Sequence, residues 1–155
     1  MNILAILQKC IPVRFAEAHC DIPCGIYDPI SAKIAAQTVL KMAVRLEAVE
    51  LPPKDVSTPN SVARYVTVKE EHAQLVKNEL NILWSDYFKP EHLEKYPDLH
   101  DLFWNANKLA GSNKQNVSSD SAKSLVETVD KIAKIFWATK GVDYTDPVEK
   151  IRFGA

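Results

Sequence analysis

The sequence predicts an all-α protein, an antiparallel four-helix bundle preceded by a short segment rich in metal donors. Three observations point there. Apolar residues recur at three- and four-residue spacing through four long stretches, breaks containing Pro or Gly separate them, and no run alternates apolar and polar residues as a half-buried strand does. Amphipathic helices joined by short loops bury their stripes by packing together.

The first helix is expected over residues 29–49. Asp28 can cap it, and Pro29 can occupy its first turn, where a missing amide hydrogen costs nothing. Ile34, Ala35, Thr38, Val39, Met42, Leu46 and Val49 mark one apolar face, and Leu51, Pro52 and Pro53 stop it. Residues 52–60 read as a loop because Pro52, Pro53 and Pro59 stand among polar neighbours. A second and longest helix is expected over 61–87, with Val62, Val66, Leu75, Val76, Leu80, Leu83 and Trp84 on its face. Lys89 and Pro90 end it. A third helix covers 91–109, with Pro97 as its one point of interruption and Gly111 as its stop signal. After a polar turn over 112–119, Ala122, Leu125, Val126, Val129, Ile132, Ala133, Phe136 and Trp137 mark the fourth, which ends at Gly141. The bundle thus spans 29–141, and the tail 142–155 has no assigned role.

Bulk properties narrow the function. At 155 residues the chain fits one domain. Its 25% charged and 46% hydrophobic residues are ordinary for a soluble globular protein, and no apolar run nears the roughly 18 residues that cross a membrane. The net charge of -1 comes without a Lys/Arg stripe, so nucleic acid is excluded as a partner. Residues 1–18 end in Ala16-Glu17-Ala18, a small-x-small junction resembling a cleavage site. No positive charge precedes the apolar run at Ile3–Leu7, and Lys9 interrupts it early, so the leader reads as a removable pro-segment, not an export signal. The expected location is cytoplasmic.

The chemistry lies in the next residues. His19, Cys20, Asp21, Ile22, Pro23, Cys24, Gly25, Ile26 and Tyr27 form a hook at 19–27. Cleavage between Ala18 and His19 would place a free amine, an imidazole, a backbone amide and two thiolates within six residues. Strong nitrogen and sulfur donors of this kind suit square-planar Ni(II) or Cu(II). A disulfide between Cys20 and Cys24 would close only a tiny loop, whereas a metal uses both sulfurs at once. The spacing taken alone also fits a zinc half-site. Pro23 restricts the backbone between the thiols, and Gly25 can adopt positive φ and turn the chain back.

The run His19 to Pro29 closely resembles the metal hook of the nickel-containing superoxide dismutases. Trp84-Ser85-Asp86-Tyr87-Phe88-Lys89-Pro90 with Glu94-Lys95-Tyr96-Pro97, and Lys131-Ile132 through Ile135-Phe136-Trp137, resemble later blocks of that family in the same order. The resemblance implies one nickel ion per subunit, held by the His19 amine, the Cys20 amide and the Cys20 and Cys24 sulfurs, with the His19 imidazole axial. It also implies superoxide dismutation by Ni(II)/Ni(III) cycling, a maturation protease that exposes His19, and a homohexamer. Tyr27, and with it Asp21, is expected to shape the mouth and order water there without binding metal. For Asp21 the alternative is a turn-stabilising role.

Two positions depart from the family pattern. Where its members carry a glutamate in the first helix and an arginine in the second to support the imidazole, this chain has Ala35 and His72, and His72 is a candidate replacement. His92 and His100 read as structural, and Trp84, Tyr87 and Phe88 as core or subunit-interface aromatics. Lys89 is a weak candidate for attracting superoxide. The competing functional readings are a nickel or copper carrier that uses the same hook without turnover, and a purely structural bundle.

Overall fold

The computed structural model describes residues 25–53 and 55–154. Among the described residues six α-helices follow in order: α1 Ile30–Glu47, α2 Ser57–Ile82, α3 Pro90–Lys95, α4 Leu99–Gln115, α5 Ser119–Thr139 and α6 Glu149–Phe153. Between α2 and α3 the helix widens into one π-type turn, Leu83–Tyr87, closed by the Phe88 amide donating to Leu83 O at 3.1 Å.

The four long helices close a ring. α1 packs on α2 and α5, and α4 packs on the same two from the opposite corner, which is the expected four-helix bundle. Its centre is built from Val39, Val76, Leu80, Leu99, Leu125, Val129, Ile132 and Phe136, all fully buried. Each large side chain removed from water in this way contributes about 1.5–3 kcal/mol. Small residues set the close approach of α1: Ala32, Ala35, Ala36 and Ala43 are all at 0% exposure. The stripe of α1 is therefore rotated from the expected face, and Ile34 is left 43% exposed.

Local chemistry explains where the boundaries differ from expectation. α2 begins four residues early because Asp55 accepts from the Thr58 amide at 2.9 Å and from the Ser57 hydroxyl at 2.8 Å. Pro59 then falls in the first turn, where proline fits. The expected third helix is two, split around Pro97. Gly111 does not stop α4, which runs on to Gln115, since a glycine inside a helix costs only about 1 kcal/mol. Beyond it, the buried Lys69 of α2 donates to the carbonyls of Asn113, Lys114 and Asn116, closing the α4 terminus, and burial pulls its pKa down. Ser118 caps α5 through the Ser121 amide at 3.1 Å.

The tail has a definite place. Gly141, at φ +74°, ends α5 in a left-handed turn in which the Val142 amide donates to Trp137 O at 3.0 Å. Tyr144 then stacks on Trp137 with ring centroids 5.9 Å apart. Asp146 receives both guanidinium nitrogens of Arg152, at 2.9 and 3.0 Å, and lies 3.5 Å from Lys33. Lys33, 3% exposed in the first turn of α1, is paired with Asp130 of α5 at 2.5 Å. α6 is pinned where Lys41 donates to Phe153 O at 3.0 Å. Residues 142–154 thus strap α1 to α5.

Candidate metal centre

The expected ligands His19, Cys20 and Cys24, and Asp21 beside them, lie outside the described residues. What the structure places is the root of the hook. Gly25 has φ +73°, the left-handed conformation expected of it. Asp28 Oδ1 accepts from the Ile30 amide at 2.8 Å, and Pro29 O accepts from Lys33 at 3.1 Å, so the chain enters α1 through the expected Asp-Pro start. Pro29 is fully buried. The hook therefore springs from a fixed point on the bundle.

Tyr27 is half-buried against the core, and its ring meets that of Tyr87 at 5.6 Å. Tyr87 is the hub of this corner. Phe136 lies 4.5 Å from it, His92 stacks on it at 5.7 Å and 13°, and the Lys140 ammonium stands 5.1 Å over its face. Its hydroxyl meets Thr139 Oγ1 at 2.5 Å, and Thr139 also reaches Phe136 O at 2.6 Å. Tyr87 does belong to the core margin, as its pattern suggests, but it borders the hook as well. Sequence periodicity missed that second role, because the wide turn at Leu83–Tyr87 breaks the helical spacing from which its direction would be read.

The remaining candidates fall as follows. Ala35 is at 0% exposure in the apolar core and brings no polar group to the site. His72 is half-buried on α2, and its Nδ1 lies 2.8 Å from Val68 O; a carbonyl only accepts, so Nδ1 donates in this contact. His92 Nδ1 accepts the Lys89 amide at 3.1 Å, and the exposed His100 ring packs on Trp84 at 5.4 Å, both structural roles. Lys89 is exposed at the start of α3. Among the described residues, no group of three or more His, Cys, Asp or Glu is placed to hold a metal, and no helix is long and apolar enough to cross a membrane.

A four-helix bundle carrying a His-Cys-x-x-x-Cys hook at the head of its first helix defines a class of metalloprotein, and comparison identifies the family. The family model for nickel-containing superoxide dismutase matches residues 14–140. The superoxide dismutase [Ni] of Streptomyces coelicolor is 39% identical over 129 residues, covering 83% of this chain and 93% of the relative. That of Streptomyces seoulensis is 39% identical over 124 residues, covering 80% and 89%. The solved native structure of nickel superoxide dismutase superposes with a TM-score of 0.71 at 37% identity, covering 80% of this chain and all of the solved one. A structure with nickel ligation of the oxidized state gives 0.70 at 38%. The chain belongs to the nickel-containing superoxide dismutase family.

Proposed function

We propose that this chain is a nickel-dependent superoxide dismutase, matured by cleavage between Ala18 and His19 to leave residues 19–155. The observation that carries the proposal is that a single family match, over 14–140, spans both the hook and the bundle. A carrier or purely structural role leaves that joint match unexplained.

The donor set fits the metal. His19 would supply its amine and imidazole, Cys20 its amide nitrogen and thiolate, and Cys24 its thiolate, a combination of strong nitrogen and sulfur ligands. Nickel so held supplies one-electron redox chemistry, because anionic thiolates and an amide nitrogen stabilise the trivalent state. Two superoxide anions and two protons give one oxygen and one hydrogen peroxide. Tyr27 and Tyr87 form the wall where the hook meets the bundle. Asp21 is proposed to order water beside Tyr27. Lys140, over the Tyr87 ring, adds positive charge at this wall, which favours approach of an anion, and the exposed Lys89 is proposed to add to it. We place the mature protein in the cytoplasm as a homohexamer with one nickel per subunit.

The test expresses the chain from His19 beside the full-length form, loads both with nickel, and measures metal content and superoxide removal. Activity confined to the His19-started protein supports both the enzyme and the need for a free amine. Nickel binding without turnover would move the assignment to a carrier, and no binding would overturn the hook.

A further inference from the structure

Thr139, the last residue of α5, has one hydroxyl proton and two close oxygen neighbours, Phe136 O at 2.6 Å and the Tyr87 hydroxyl at 2.5 Å. A carbonyl oxygen can only accept, so the Thr139 proton is committed to Phe136. Thr139 Oγ1 then meets Tyr87 as an acceptor, and Tyr87 must donate. The ring is held for this bond by Phe136 at 4.5 Å and by His92 stacked at 13°. A phenol has one proton, so a Tyr87 that donates to Thr139 offers its other neighbours lone pairs alone.

We propose that Thr139 is a positioning residue that fixes the proton direction of Tyr87, making Tyr87 an acceptor, not a donor, toward every neighbour but Thr139, at the corner where its ring meets Tyr27. An acceptor-only oxygen holds neutral O–H donors such as water or hydrogen peroxide and repels an oxyanion. The proton that completes peroxide therefore comes from a group other than Tyr87. This inference rests on the proposed dismutase reading for its functional meaning, but the direction of the bond stands on the coordinates of α5 and the wide turn.

Thr139→Val keeps the side-chain shape and removes the hydroxyl, while Thr139→Ser keeps the hydroxyl. Circular dichroism first confirms that both fold. The tyrosine Fermi-doublet ratio in Raman spectra, which distinguishes a donating from an accepting phenol, is read for Tyr87 as the difference from Tyr87→Phe in full-length protein without nickel. The donor signature should be present in the parent and in Thr139→Ser and absent from Thr139→Val; an acceptor signature in the parent overturns the proposal, whatever the enzymatic result. In the nickel-loaded, His19-started protein, Thr139→Val should change turnover about fivefold, the rate equivalent of one ordinary hydrogen bond, with Thr139→Ser restoring it. Equal turnover in all three overturns the positioning role. A donor signature in a nickel-loaded protein without activity refutes the dismutase reading and leaves the bond direction intact.

Discussion

The Lys33 ammonium lies 2.5 Å from the Asp130 carboxylate, joining the first turn of the helix that carries the hook to the middle of α5. Asp146 and Glu149 of the tail approach the same ammonium at 3.5 and 3.7 Å. One buried cation thus gathers carboxylates from α5 and the strap, and it does so five residues after Asp28, where the chain leaves the hook and enters α1.

Removing that cation should be costly. Lys33→Met leaves Asp130 and Asp146 without their shared partner, and breaking a buried pair from one side typically loses 3–5 kcal/mol. Asp130 keeps 23% of its side chain exposed, so a loss of about 2–4 kcal/mol is expected by urea unfolding. An unchanged midpoint would refute the buried pairing.

The strap should loosen in acid. The hydrogen bond from Arg152 holds the Asp146 carboxyl below its ordinary value of 3.8. A carboxyl lowered by folding stabilises the native state at pH values above its unfolded value, and that contribution disappears as the pH falls through the folded one. Protection of the Arg152 amide, which donates to Val148 O at 2.8 Å, should therefore fall below about pH 4, after correction for intrinsic exchange. Asp146→Asn should show the unprotected state already at neutral pH. At the basic end the sign reverses. Burial alone would lower Lys33, but the hydrogen bond and charge of Asp130 outweigh it and raise the pKa above 10.5, so the contribution is complete below that value and lost as pH rises through the folded one.

Stripping nickel should leave the bundle standing. Every buried residue of the core cluster lies between Ala32 and Phe136 in the chain, so the core is built from residues that follow the proposed ligands in sequence. Chelation, or Cys24→Ser, should abolish nickel binding yet change bundle stability by less than about 1 kcal/mol, a few degrees in melting temperature. Cooperative loss of helix on chelation would contradict this.

Nickel should also shelter its own ligands. Thiolates meeting peroxide climb the oxidation ladder stepwise. The apo His19-started protein should lose thiol titre in peroxide faster than the nickel-loaded form, and equal loss would show that coordination gives Cys20 and Cys24 no protection.

Much of the fold was legible in the sequence because its cause is local. The 3.6-residue period of α5, the Asp28-Pro29 entry to α1 and the Gly141 exit of α5 each stand where residue chemistry put them. The misread boundaries share a different cause. The start of α2 depends on the side chain of Asp55, and the extension of α4 past Gly111 on Lys69 reaching across from another helix. Such long-range partners leave no periodic trace. The tail was opaque for the same reason, since Asp146, Arg152 and Lys33 become a network only after folding. At the site, the proposed donors of the hook rest on residue type and family resemblance alone, since His19, Cys20 and Cys24 lie outside the described residues. The pairing of Tyr27 with Tyr87 joins residues sixty apart and needed the structure.

The wide turn at Leu83–Tyr87 works as a phase shifter. One α-helical residue advances a side chain by about 100° around the axis, so a turn that takes up an additional residue resets the bearing of everything after it. Tyr87 meets Tyr27 and Thr139 on the bearing so reset. Winding the same residues as a regular α-helix would turn the phenol away from both, even though every side chain of the corner would still be present. The corner is thus specified by the pitch of one backbone turn as much as by the identities of its residues.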